Sequence, residues 1–144
     1  MQTARLDEIY IIEEKGKPGI KKSSARIKEY GGIVGDRHCS DRENPISITG
    51  KSTLEWMEKE SVKGLCFHRF KANLVFVGRL LLEIGMKVEG GEAVLEITGK
   101  KENCFYECER FTKGFPCRLR EECWFARSLS NGTVKKGDII RSSI

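Results

Sequence analysis

Short β-branched runs interrupted by glycine recur along most of this 144-residue chain, and that punctuation points to brief strands joined by tight turns rather than to long helices. Residues 6–13 contain the run IYII and read as a first strand. Gly16, Pro18 and Gly19 break it and open a polar stretch that reaches Gly31 and Gly32. Residues 45–49 (PISIT) form a second β-branched run. One helix follows: Ser52 and Glu55 fit a capping box, and Leu54, Met57 and Val62 recur at roughly helical spacing. Strand patterns return over residues 72–77, 86–89 and 93–98, the last two joined by a hairpin whose turn is assigned to Gly90-Gly91. A short helix is expected over residues 120–129, a turn at Asn131-Gly132, and a final strand (IIRSS) after Gly137-Asp138. No repeat, low-complexity tract or boundary interrupts the order, so residues 1–144 are expected to form one domain. The expected fold is mainly β: a single compact, closed or nearly closed barrel with a few short peripheral helices.

A chain of this size buries about two-thirds of its unfolded surface, so it needs neither disulfides nor a metal to fold. The net charge of +5 is unevenly spread. Between positions 14 and 42, Lys15, Lys17, Lys21, Lys22, Arg26, Lys28, Arg37 and Arg42 face only Glu14, Glu29, Asp36 and Asp41. Such a field suits an anionic partner, and it equally suits a solvated basic loop. Only Tyr30 stands near it, so stacked bases lack a platform and nucleic acid is not expected as a partner. Arg5, Asp7 and Glu8 interrupt the first residues, which lack the apolar core of a signal peptide. No segment reaches the roughly 18 apolar residues of a membrane span, and a cytoplasmic location without membrane partners is expected.

The chemistry concentrates in thiols. Cys104, Cys108, Cys117 and Cys123 lie in one run, GKKENCFYECERFTKGFPCRLREEC. In a reducing compartment such a cluster reads as catalytic or metal-binding before it reads as disulfide-bonded. Two chemistries are open. The spacing Cys104-x3-Cys108-x8-Cys117-x5-Cys123 would let four thiolates ligate zinc or an iron–sulfur cluster, although it departs from the C-x2-C pairs of zinc ribbons. Alternatively the thiols carry sulfur. Lys100 and Lys101 precede Cys104 and Arg118 follows Cys117, and positive charge favours thiolates. Cys108 would share a face with Cys104 if the piece were helical. A buried cysteine is otherwise an ordinary small hydrophobe. Cys39 and Cys66 lie apart, near His38 and His68, and His68 reads as structural.

Several segments, in order, resemble the MOSC domain family, named after the C-terminal domain of molybdenum cofactor sulfurases. Gly31-Gly32-Ile33-Val34-Gly35-Asp36-Arg37-His38 is similar to its G-x-x-GD-x-H signature, and Phe70-Lys71-Ala72-Asn73-Leu74 to its F-x-x-N-(L/I) segment. Residues 82–98 (LEIGMKVEGGEAVLEIT) follow its long glycine-and-strand run. The thiol segment resembles the GK-x-C…C…C form of small stand-alone bacterial members, and Phe125-Ala126-Arg127 with residues 131–138 fits the closing F-A-R…G-x-V-x-x-GD. The chain departs from the pattern at Cys39-Ser40-Asp41, at residues 43–48, in two extra residues before Cys104, at Phe115-Pro116 and at Cys123-Trp124.

The resemblance implies a MOSC-type barrel that handles the molybdenum cofactor (molybdopterin) or its sulfur. It would act as a sulfur transferase or as part of a Mo-dependent oxidoreductase; any pyridoxal phosphate association belongs to the family level only. Cys104 matches the family's persulfide- or molybdenum-contacting cysteine, and Cys108 and Cys117 match further thiols of the small subgroup. Asp36, Arg37 and His38, with Arg69, Lys71 and Asn73, would line a pocket for the cofactor's phosphate. Implied partners are the cofactor, a sulfur donor such as a cysteine desulfurase, and molybdoenzymes.

Overall fold

A computed structural model describes residues 1–67, 70–101, 104 and 107–142. Its strands are β1 Gln2–Ile11, β2 Ile20–Lys22, β3 Ser24–Ile27, β4 Ile46–Gly50, β5 Leu74–Gly78, β6 Lys87–Gly90, β7 Ala93–Lys100, β8 Cys123–Ser128, β9 Gly132–Lys135 and β10 Ile139–Ser142. Three short helices accompany them: α1 Lys51–Lys59, α2 Glu109–Thr112 and α3 Arg118–Glu122. Seven strands close into a mixed barrel in the order β1-β10-β6-β7-β8-β4-β5 and back to β1. Closure rests on the length of β1, which pairs with β10 from Gln2 to Arg5 and with β5 from Ala4 to Ile9. Its far end carries β2, and β3 pairs with β9 in a separate ribbon. β4 and β5 run parallel, which demands a crossover, and α1 lies in that connection.

Small barrels are filled by their own side chains. Here Leu6, Ile46, Ile48, Leu74, Phe76, Leu95, Ile97, Trp124, Ala126 and Ile140 form the buried interior. Strand alternation then sends the intervening residues outward. Along β8, Trp124 and Ala126 enter the barrel core, whereas Cys123 joins a second apolar cluster with Met57 and Leu119. Leu54, Trp56, Cys66, Phe67, Phe70 and Cys117 pack against that cluster. The barrel wall therefore has a second apolar layer on its outer side, and the thiol-bearing segments are attached there.

Several expected elements differ. The helix expected over residues 120–129 ends at Glu122, because from Cys123 onward the chain alternates in burial and pairs with both β4 and β7. The helix after residue 50 is capped by backbone at Gly50 without a side-chain cap, and Ser52 instead accepts a hydrogen bond from Arg118 at 3.0 Å. Val62 lies beyond its end at Lys59. In the β6–β7 hairpin Gly90 pairs with Ala93, so the turn falls on Gly91-Glu92, one residue later than expected, with Gly91 at φ 55°. The polar stretch before Gly31 contains β2 and β3, whose residues carry little apolar signal.

Candidate functional site

An open cavity of about 1040 Å³ lies beside the wall formed by β4 and β8. Ser47 and Phe125, which face each other across that pair, form its floor. Loops supply its sides: Lys15 and Gly16 after β1, Arg37, His38, Asp41, Asn44 and Pro45 before β4, Cys66, Phe70, Lys71 and Asn73 before β5, and Lys101 after β7. Among its described lining residues Lys15, Arg37, Lys71 and Lys101 are cationic and Asp41 is the one carboxylate. Asp41 is itself engaged, with Oδ2 2.6 Å from His38 Nδ1. The residual field is positive, as an anionic ligand requires.

The loop that presents Arg37 and His38 is fixed by a buried polar hub. Gly35 takes φ 96°, a value open to glycine, and turns the chain inward. Asp36 follows, 6% exposed, and its carboxylate accepts hydrogen bonds from Ile12 N–H at 2.8 Å, His38 N–H at 3.0 Å and Asn73 Nδ2 at 3.0 Å. Arg37 N–H returns a bond to the Ile12 carbonyl at 2.8 Å. Asn73, also buried, donates to the Tyr10 carbonyl at 3.1 Å and accepts from Ser47 N–H at 3.0 Å. Of the expected anion-binding residues, Arg37, His38, Lys71 and Asn73 therefore share one cavity wall. Asp36 and Asn73 spend their polar atoms holding that wall together rather than pointing them at a ligand. Arg69 lies outside the described residues.

Next to this cavity is a small apolar cleft of about 20 Å³, lined by Cys66, Cys104, Cys108 and Cys117 together with Lys101 and Arg120. That volume holds a single atom of about water's size. Cys108 is the N-cap residue of α2 and Cys117 that of α3, and the helical turn expected to join Cys104 to Cys108 falls on residues 105 and 106, which lie outside the described residues. Burial pushes the Cys104 thiol above its ordinary range, although Arg120 opposes it. Lys100 is turned to Glu121 at 3.4 Å. Cys108 behaves oppositely: burial resists ionisation, but N–H groups of Leu65, Phe111 and Arg110 and the Arg110 charge outweigh it and lower the thiol. The two thiols are thus shifted in opposite directions, Cys104 up and Cys108 down.

Cys123 stands apart from this group. It is fully buried, and burial pushes its thiol up to about 12, with Lys101 acting in the opposite direction. All six cysteines are unbridged. The fourth thiol of the cleft is Cys66, which the sequence separates from the others by a long interval. Lys15, read from the sequence as part of the basic stretch, and Lys101, read as the charge before Cys104, are brought to one cavity by their loops. A pH prediction follows from Cys123. Its buried neutral thiol contributes stability below the ordinary thiol range, and this contribution is lost as pH rises toward about 12. Denaturant midpoints of Cys123→Ala should lose this slope of about 1.4 kcal/mol per pH unit relative to the unsubstituted protein.

The match with known proteins follows this geometry. The model of the MOSC domain matches residues 34–141. The chain belongs to the MOSC domain family. YuaD of Bacillus subtilis superposes on 97% of this chain and 95% of its own, with a TM-score of 0.68 at 16% identity. YiiM of Escherichia coli covers 97% of this chain, which spans 70% of YiiM, with a TM-score of 0.60 at 14% identity. YiiM of Geobacillus stearothermophilus gives 96% and 75% coverage, a TM-score of 0.60 and 12% identity. At these identities the likeness is one of fold. No significant sequence match exists among curated proteins. Among the described residues, no helix is long and apolar enough to cross a membrane.

Proposed function

We propose that this MOSC protein binds the molybdenum cofactor in the basic cavity and handles its sulfur through the adjoining thiols, with Cys104 as carrier or metal contact. The observation that carries this reading is the junction itself: a cavity with four cations against one carboxylate abuts a cleft of four thiols, sharing Cys66 and Lys101. The residues fit the group. A volume of about 1040 Å³ accommodates a pterin extended by a nucleotide. Arg37, Lys71 and Lys101 would hold its phosphate, Phe70 and Phe125 offer apolar surface to its flat ring, and the thiols supply soft donors. When bound, the cofactor contributes a redox-active molybdenum with exchangeable sulfur. The chain's own task is to neutralise the phosphate, keep the Arg37–His38 loop in place through Asp36, and hold a thiolate in a sheltered cleft.

This role makes the protein a cytoplasmic sulfur transferase or a component of a Mo-dependent oxidoreductase, served by a cysteine desulfurase and delivering to molybdoenzymes. The test is a titration with molybdenum cofactor released anaerobically from a molybdoenzyme. Arg37→Glu combined with Lys71→Glu should weaken binding by at least about tenfold, a loss of roughly 1.4 kcal/mol or more. Unchanged affinity would remove the cavity from the account.

The cleft also favours a second reading, a single zinc ion held by Cys66, Cys104, Cys108 and Cys117. Its size suits one ion rather than an iron–sulfur cluster. Cys123 has no part in that site, since it does not line the cleft. Among the described residues, no three His, Cys, Asp or Glu side chains already converge on a metal position, which places this reading second. Stoichiometric zinc that survives Cys123→Ser and is lost with Cys66→Ser would move it to first.

A further inference from the structure

Cys66 is the cysteine that lines both cavities. Cys104, Cys108 and Cys117 line the cleft and are absent from the walls of the larger cavity. Sulfur accepted in the cleft is thus separated from a ligand in the cavity, and one thiol stands at the boundary. The turn that carries this thiol is well anchored. Leu65 N–H donates to Cys108 Sγ at 3.5 Å, Phe67 N–H to the Gly64 carbonyl at 3.1 Å, and Phe70 N–H to the Cys66 carbonyl at 2.8 Å. Lys101 also lines both spaces.

We infer that Cys66 is the delivering thiol: sulfane sulfur accepted on Cys104 inside the cleft passes to Cys66, which presents it to the ligand in the basic cavity. The inference rests on the sulfur-handling reading above. Cys104 is loaded by exchange with the persulfide of a desulfurase. The Cys66 thiolate then attacks the outer sulfur of Cys104–S–SH. That S–S bond breaks, Cys104 leaves as thiolate, and Cys66–S–SH forms. The proton given up by Cys66 balances the one Cys104 takes up, and the sulfane sulfur keeps its oxidation state. No oxidant or reductant is consumed.

The experiment loads anaerobic protein with a cysteine desulfurase and cysteine, quenches with an alkylating agent at intervals, and quantifies persulfide at each cysteine by peptide mass spectrometry. In the unsubstituted protein, label should appear on Cys104 first and on Cys66 afterwards. Cys104→Ser should cut the Cys66 label by at least about tenfold, whereas Cys66→Ser should leave persulfide accumulating on Cys104. Cys66→Ala provides a second variant should the serine disturb the apolar packing. Equal labelling of Cys66 in the Cys104→Ser protein would overturn the relay, because Cys66 would then load directly. A loaded Cys104 with Cys66 unlabelled throughout would overturn it too, while leaving the sulfur-carrier reading intact. No persulfide on any cysteine would end both.

Discussion

Arg110→Ala should cost about 3 kcal/mol of folding stability and loosen the thiol segment before the barrel itself gives way. Arg110 is 4% exposed, an unusual place for a guanidinium. Its Nε is buried without a hydrogen-bond partner among the described residues, but both terminal nitrogens are engaged. Its Nη1 donates to the Val62 carbonyl at 2.9 Å and lies 3.0 Å from Glu60, and its Nη2 donates to the Pro116 carbonyl. The guanidinium also lies 4.9 Å from the Trp56 ring centroid and 5.5 Å from that of Phe115. One side chain therefore ties the end of α1, α2 and the loop leading to Cys117 together. Without it, the part-buried Val62 and Pro116 carbonyls lose their donor and Cys108 loses a neighbouring charge. Chemical denaturation should show the loss, and alkylation of Cys108 and Cys117 should accelerate. Lysine should rescue little, since it lacks the planar fork. A cost below about 1 kcal/mol would mean that the packing around Trp56 and Phe115, not the guanidinium, holds this segment.

Asp36→Ala should have a comparable effect, also about 3 kcal/mol, through a different route. It strands three donors at once: Ile12 N–H, His38 N–H and Asn73 Nδ2. The loop carrying Arg37 and His38 would keep only the Arg37 N–H bond to the Ile12 carbonyl as its tie to the end of β1. Ligand affinity should fall further than stability alone explains, because those two residues line the basic cavity. Asp36→Asn should fall between, keeping acceptors at one oxygen and setting an amide against donors at the other. Thermal unfolding and cofactor titration of both variants measure the two effects. Unchanged affinity in a folded Asp36→Ala protein would show that the loop needs no such anchor.

The barrel was readable because its signals are local. The PISIT run, the L-E-I-T run and the glycine turns give β4, β7 and the hairpin with little ambiguity. Helix α3 and β8 were merged because residues 120–129 contain helix-forming Arg, Glu and Ala, and only pairing with β4 and β7 decides the matter. The GDRH element was legible as a turn, including a carboxylate that binds backbone, since Gly and Asp act over a few residues. The thiol site was half legible. Clustering picked out Cys104, Cys108 and Cys117, yet it also drew in Cys123, whose strand phase sends it into the buried layer against Met57 and Leu119. Cys66 belongs to the cleft through a loop contact across 38 or more positions, which no spacing rule expresses. The thiol environment is not legible for the same reason: burial acts on Cys104 and Cys108, and backbone N–H groups on Cys108, from parts of the chain that spacing does not reveal.

Native intact-mass spectrometry with molybdenum and zinc analysis would test the central claim most directly, using protein purified without oxygen and exposed to released molybdenum cofactor. A molybdopterin-sized adduct that carries molybdenum is expected, and it should disappear when Arg37 and Lys71 are both reversed to glutamate. A bare polypeptide after that exposure, or zinc alone on the thiols, would contradict it.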